Sequence, residues 1–402
     1  MSVRSSDANG RRTSVRKRGI GVVVALLATV IAVPNGNAFA TGDGDGDGYR
    51  TVVVREGRSI QKAIDRARPG TKIVVKGHHE ENVWIHKNRI ELVGVKGASL
   101  TMPADPAMRT INPCTGGDEN GPNVDFATLI CVHPIPTADG PPRPSDYVRH
   151  VKIKGLTLNN PLFDAIGAVF TKYLEVEHNT MIDPGCDGIF VIFAKYFEVE
   201  RNFVSGSQFC SGIEILASYS GHVSRNTTND SLNGNGMTIN DTYKLVIDRN
   251  KASGSCMGIS LVDGTDGGYG IRDGDFVAGK TMIKRNTTNG NNAQCQFGPF
   301  AVGITGILVA GLHGVTIRNN TANDNTSDLE SVTAGGIVVT DFPNEDGSSN
   351  LTTGARVVHN KAKGNSSSIG PVDLNLNTLG ELVKVKYNRC DVGSPDPSWC
   401  NG

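Results

Sequence analysis

Acidic side chains recur just after short apolar runs: Asp241 follows GMTIN, Asp263 follows GISLV and Asp341 follows GIVVT. Glu214 and Asn240 sit within two such runs, and Asp187 stands immediately before the glycine that opens another. Carboxyls repeated in this way suit two chemistries. A carboxylic acid and a carboxylate about 5 to 10 Å apart can flank a glycosidic bond and hydrolyse it. Alternatively, a base removes the proton α to a uronate carboxyl while a cation neutralises that carboxyl. A third cluster, Asp266, Asp273 and Asp275 in DGTDGGYGIRDGDF, fits either a loop that orders around Ca²⁺ or one that covers a ligand groove. Against each stands a plainer reading, because Asp closing a strand is an ordinary turn residue.

Such residues need a scaffold, and the chain repeats itself. Arg-Asn or a related pair ends one strand-like run after another, with Asn at 179, 202, 226, 250, 286, 320, 360 and 388. The first three steps are nearly equal and the later ones are longer. A second landmark is a strand-opening glycine at 188, 212, 236, 258, 306 and 336. The interval from Gly188 to Asn202 recurs unchanged from Gly212 to Asn226, Gly236 to Asn250 and Gly306 to Asn320, which sets the register. Longer steps then carry insertions after Gly258, before Gly306 and on both sides of Gly336. A period of about two dozen residues, with two or three short strands each, describes coils stacked about 4.8 Å apart with parallel pairing. Ile213 and Ile215, Met237 and Ile239, and Ile259 and Leu261 are the inward pairs. The Asn residues are structural in this reading: at a corner the side chain bonds backbone groups, tolerates left-handed geometry, and stacks on its equivalents as an amide ladder.

The pattern resembles the right-handed parallel β-helix proteins of the pectate-lyase superfamily, over residues 51–390. The resemblance implies an all-β solenoid and a ligand groove along an outward strand face. It does not choose among lyase, epimerase, hydrolase and non-catalytic binding. The polygalacturonase Gly-His-Gly and Asn-Thr-Asp elements are absent. Asp183-Pro184-Gly185 and Asp187-Gly188-Ile189-Phe190-Val191 are similar to elements of mannuronan epimerases, without the His, and this brings Asp183 among the candidates. The expected partner is a polysaccharide, an acidic one under the lyase or epimerase chemistry.

At the N-terminus, basic residues up to Arg18 precede GIGVVVALLATVIAV and an Ala-x-Ala site ending at Ala40, the form of an export signal over 1–40. Residues 41–50 read as an acidic Gly/Asp linker. Their DGDGDG spacing begins like a calcium loop but reaches Val54 where that loop needs Glu. SIQKAIDRARPG, with Ser59 as N-cap, reads as a helix covering the open end of the solenoid. Forty basic against 40 acidic residues exclude a generic nucleic-acid or anionic-membrane binder, and no later segment is long and apolar enough to cross a bilayer.

Eight cysteines in an exported chain read as disulfides. Cys186 and Cys210 hold the same slot on neighbouring coils. Cys256 pairs most naturally with Cys295 on the next coil, Cys114 with Cys131 closes a loop, and Cys390 with Cys400 pins the tail, residues 391–402. Cys-x-x-Cys is absent, so a zinc site has no support.

Overall fold

The computed structural model describes residues 50–400 apart from 119–120, 139, 265–277, 293–295, 298–299, 302–303, 328–332, 344–347 and 369. The proposed export signal, nearly all of the linker, Cys295 and the triad Asp266, Asp273 and Asp275 lie outside the described residues.

Three long parallel sheets of 12, 10 and 11 strands run the length of the described chain. One coil shows the plan: Lys195–Glu200 adds to the first sheet, Phe203–Ser205 to the second and Ile213–Leu216 to the third. The chain is therefore a parallel β-helix. Its interior is made of register columns. Ile189, Ile213, Met237 and Ile259 pair in sequence across four coils, and each is fully buried. Burying one such side chain is worth about 1.5–3 kcal/mol, and a one-residue slip would turn the whole column outward. That cost holds the register.

The opening glycines are required by close approach. A Cβ on Gly188 would lie 2.4 Å from Val204 Cγ1 and 2.6 Å from the Gly212 carbonyl oxygen. The Asn column does what its spacing predicts, with one difference. Asn202 donates its backbone N–H to Asn226 Oδ1 (3.0 Å), and its side-chain amide to the same oxygen (3.1 Å) and to the Val176 carbonyl (2.8 Å). The same pattern joins Asn179 to Asn388. The left-handed residue is not the Asn but its predecessor: Arg201, Arg225, Arg249 and Arg285 have φ of 53° to 56°. The Asn is needed for three hydrogen bonds inside the corner, and the residue outside it takes the turn. Those arginines pair along the tube: Glu200 with Arg201 and Arg225, Asp248 with Arg249 and Arg285.

Both ends are closed. The helix Ile60–Arg66, capped by Ser59 accepting from Lys62 N–H, puts Ile60, Ala63 and Ile64 into the core at the first coils. At the other end Trp399 and Cys400 pack against the core, held by Cys390–Cys400. Cys114–Cys131 and Cys186–Cys210 also form, with Cα atoms 5.6 and 4.5 Å apart. Cys256 is disulfide-bonded as well. No helix among the described residues is long and apolar enough to cross a membrane.

Candidate functional site

The outer face of the third sheet changes character along the tube. On its early coils the outward column runs Gly167, Phe190, Glu214, Thr238 and Ser260. Farther on it becomes Leu308 and Val338, buried with Met257 and Cys256 in a small apolar cluster outside the main core. The sequence candidates along this sheet fall in two groups at its opposite edges, with Asp183 apart from both.

The first group stands where the strands begin. Asp164, Asp187, Ser211 and Asn235 occupy one slot, each two residues ahead of the first inward residue of its strand. Asp187 donates its N–H to Asp164 Oδ1 (3.2 Å), and Ser211 donates its N–H to Asp187 Oδ1 (2.8 Å). Both carboxyls are 2% exposed. Glu214, half-buried on the strand beside them, shares a side-chain hydrogen bond with Asp187. Burial, first of all, raises all three pKa values; the Glu214 charge adds to the rise at Asp164 and at Asp187. Three carboxyls on successive coils, all with raised pKa values, oppose one another's ionisation. The sulfurs of Cys186 and Cys210 lie within 4.8 Å of the Asp187 carboxylate, but they are bonded to each other and offer no thiolate to a metal.

The second group stands where the strands end, in the corner slot that holds Phe170, Phe193, Ala217, Asp241, Asp263, Gly311 and Asp341 on successive coils. Asp241 has φ 55° and accepts the Gly264 N–H (2.8 Å). Burial, and then the Asp263 charge, push its pKa up to about 6, against the hydrogen bond from Gly264. Asp263 is buried, and its carbonyl accepts from the Asn350 amide (3.0 Å). Asp341 is a turn residue in full: its carboxylate accepts the N–H groups of Thr352 (2.9 Å) and Leu379 (2.7 Å) and the Thr378 hydroxyl. On the earlier coils the slot carries Phe170 stacked on Phe193, centroids 5.0 Å apart.

Glu214 and Asp241 lie one coil and three strand positions apart, about 11 Å between backbones at the usual strand spacings. Asp183 belongs elsewhere. It is a left-handed corner residue at the end of the second sheet, φ 51°, with its Oδ1 over Gly206.

Asp164 escaped the sequence reading although a signal was present. The step from Asp164 to Asp187 equals that from Asn179 to Asn202. A second amide ladder escaped it too. Asn291, Asn325 and Asn365 repeat the steps of Asn286, Asn320 and Asn360. The side-chain amides of Asn291 and Asn325 each donate to the next Asn Oδ1 at 2.8 Å.

The family description "Right handed beta helix region" matches residues 145–276. The A-module of the mannuronan C-5 epimerase AlgE6 of Azotobacter vinelandii superposes with a TM-score of 0.51 at 14% identity, over 86% of this chain and 89% of that one. XylC in complex with xylose gives 0.49 at 10% identity, over 81% and 68%. The catalytic domain of a GH87 alpha-1,3-glucanase in complex with nigerose gives 0.47 at 13%, over 87% and 70%. Among curated protein sequences none matches. The chain is a right-handed parallel β-helix protein.

Proposed function

We propose that the protein is an exported glycoside hydrolase that works on a polysaccharide laid along the outer face of the third sheet. The observation that carries this reading is the Asp187–Glu214 pair, two hydrogen-bonded carboxyls whose pKa values burial raises, at the edge of an outward strand face. A buried carboxyl with a raised pKa is the kind of group that serves as a general acid in glycoside hydrolysis. In the proposed step Glu214, backed by Asp187, protonates the glycosidic oxygen and the bond to the anomeric carbon breaks. Water adds to that carbon and gives its proton to the Asp241 carboxylate. Because water attacks directly in this step, inversion at the anomeric carbon is expected.

Uronate chemistry is less well supported. The third-sheet strands Ile166–Val169, Ile189–Ile192, Ile213–Leu216, Met237–Asn240 and Met257–Val262 contain no Lys or Arg to neutralise a uronate carboxyl beside Glu214. The disulfides fit an oxidising compartment outside the cytoplasm.

The test is a panel of plant, algal and bacterial glycans, with and without Ca²⁺, followed by reducing-end release and by ultraviolet absorbance of unsaturated products. Reducing ends without absorbance are expected. Glu214→Gln should lower kcat by about 10²-fold or more with an unchanged circular dichroism spectrum. Unsaturated products would replace hydrolysis by elimination. Glycan binding with no product from any substrate would leave a binding protein and end the hydrolase reading.

A further inference from the structure

The outer face of the third sheet has two outward columns. The first holds Phe190 and Glu214, and the second, two residues later on each strand, holds Ile192 and Leu216. Both columns are closed toward each end of the tube. Toward the N-terminus the closed coil is Ile130–Val132. There Cys131 of the first column is 0% exposed, and His133, next after the strand in the second, is 4% exposed. The segment that precedes this strand lies over the face. Cys114 is bonded to Cys131, and a Cβ on Gly167, outward on the next coil, would stand 3.2 Å from both Cys114 Cβ and Thr128 Cγ2. Phe126 extends the cover, edge-on to Phe163 with centroids 6.0 Å apart.

Toward the C-terminus the closed coils are Thr305–Ala310 and Gly335–Thr340. Leu308 and Val338 point outward there, yet they are 4% and 0% exposed, and Ala310 in the second column is 3% exposed. Apolar side chains on the outer face of a sheet lose contact with water only under a cover. The hairpin of Phe342–Pro343 and Ser349–Asn350 adds a wall at the edge of the second column. A Cβ on Gly264 would lie 3.8 Å from Phe342 Cε1 and 4.0 Å from Asp241 Oδ1, so this ring stands beside the proposed base.

Five strands lie between the closed coils, from Ile166–Val169 to Met257–Val262. In four of them one outward residue is buried: Gly167, Ile192, Thr238 or Ser260. Among these strands Ile213–Leu216 alone is partly open in both columns, at Glu214 and Leu216. The opening therefore centres on the proposed acid. From Phe190 through Glu214 to Asn240 its partly open residues span two coil steps, about 10 Å.

We infer that this site admits only the end of a polysaccharide chain, so that the protein shortens its substrate from one end and releases a short product of fixed size. Cutting within a chain requires the polymer to leave the site on both sides of the broken bond. A chain laid along this face meets the Cys131 coil in one direction and the Leu308 coil in the other. Only its last few sugars have room between them, and the rest of the polymer leaves the face. This mode of attack rests on the hydrolase reading for the bond that is cut, and the walls make it a property of the tube's insertions rather than of the acids.

The experiment has two arms. In the first, the glycan of the panel that releases reducing ends is followed by viscometry and by product size from the earliest times. One short product is expected, with viscosity held while reducing ends accumulate. A mixture of lengths with falling viscosity would overturn the inference. The second arm needs no turnover: the full chain carrying Glu214→Gln is titrated by calorimetry with xylan, dextran and polygalacturonate, each as a short and a long preparation. For the glycan that binds, a stoichiometry counted per chain and equal for both lengths is expected, whereas one that rises with length would overturn the inference. Cys114→Ala/Cys131→Ala releases the N-terminal cover and should turn the single product into mixed lengths. Phe126→Ala, on the exposed side of the same segment, should shift products in the same direction and serves if the double variant fails to fold. A folded variant of either kind that keeps the single product would overturn the role of that wall. No product together with binding counted per chain would end the hydrolase reading and keep the closed site. Neither product nor binding across the panel would overturn both.

Discussion

The amide corner and the carboxyl corner of this tube solve the same problem with different chemistry. In each, a side chain at a fixed slot accepts a backbone N–H from a neighbouring coil. An Asn both accepts and donates, so Asn226 can serve Asn202 and still give its own amide to the Val199 carbonyl and Asn250 Oδ1. That arrangement propagates from Asn179 to Asn388 without leaving a group unpaired. A carboxylate accepts only. The ladder of Asp164 and Asp187 accordingly lasts two coils, gives way to Ser211 and Asn235, and leaves acids that must hold a proton to pair with each other. Asn235 Oδ1 is buried without a partner among the described residues. A corner finished with amides pairs its groups along the tube, whereas one finished with acids holds carboxyls whose pKa values burial raises.

Three perturbations separate these corners. The largest effect is expected at the amide ladder. Asn226→Ala strands the Asn202 N–H and side-chain amide and the Val199 carbonyl in a dry interior, at roughly 1–3 kcal/mol for each group left unpaired. A loss of about 4 kcal/mol in urea unfolding is expected, and a loss below about 1 kcal/mol would mean that the corner does not depend on its amides.

The second perturbation reads, through pH, the acid slot at the opposite edge of the third sheet, where Asp241 stands. The folded pKa of Asp241, about 6, lies above its ordinary value of 3.8. Its neutral form is therefore favoured by folding, with the advantage complete below about pH 4 and lost as pH rises through about 6. Asp241→Asn keeps an acceptor for the Gly264 N–H and removes the charge. It should match the parent protein at pH 4 and exceed it by about 2 kcal/mol at pH 8, the full two-unit value being reduced by partial exposure. Equal stability at both pH values would show that the carboxyl is not strained by its corner.

The smallest effect belongs to the arginines outside the amide corner. Arg225→Ala breaks an exposed pair with Glu200, and urea unfolding should register less than about 1 kcal/mol. A larger loss would transfer the holding role from the amides to the ion pairs.

Much of the fold was legible because a period in the chain is a period in space. Asn recurring at near-constant steps, with glycines at a fixed interval before the next Asn, placed the coils, the inward columns and the Cys186–Cys210 bridge. The same arithmetic reached Asp241, Asp263 and Asp341 as equivalents. It did not reveal that Asp341 is saturated with hydrogen bonds while Asp241 is left with a raised pKa. Nor did it join Glu214 to Asp187 or bring in Asp164, since repeat counting followed the amides and passed over a slot that changes residue type from coil to coil.

By itself, the sequence determined that this chain winds into a tube, because burial of one apolar column and satisfaction of one row of corner amides demand the same register. Which acids meet and which of them lose water were decided only by the stacked coils. Proton affinity and exposure depend on what the neighbouring windings place around a side chain, and that surrounding is assembled from residues far apart in the chain.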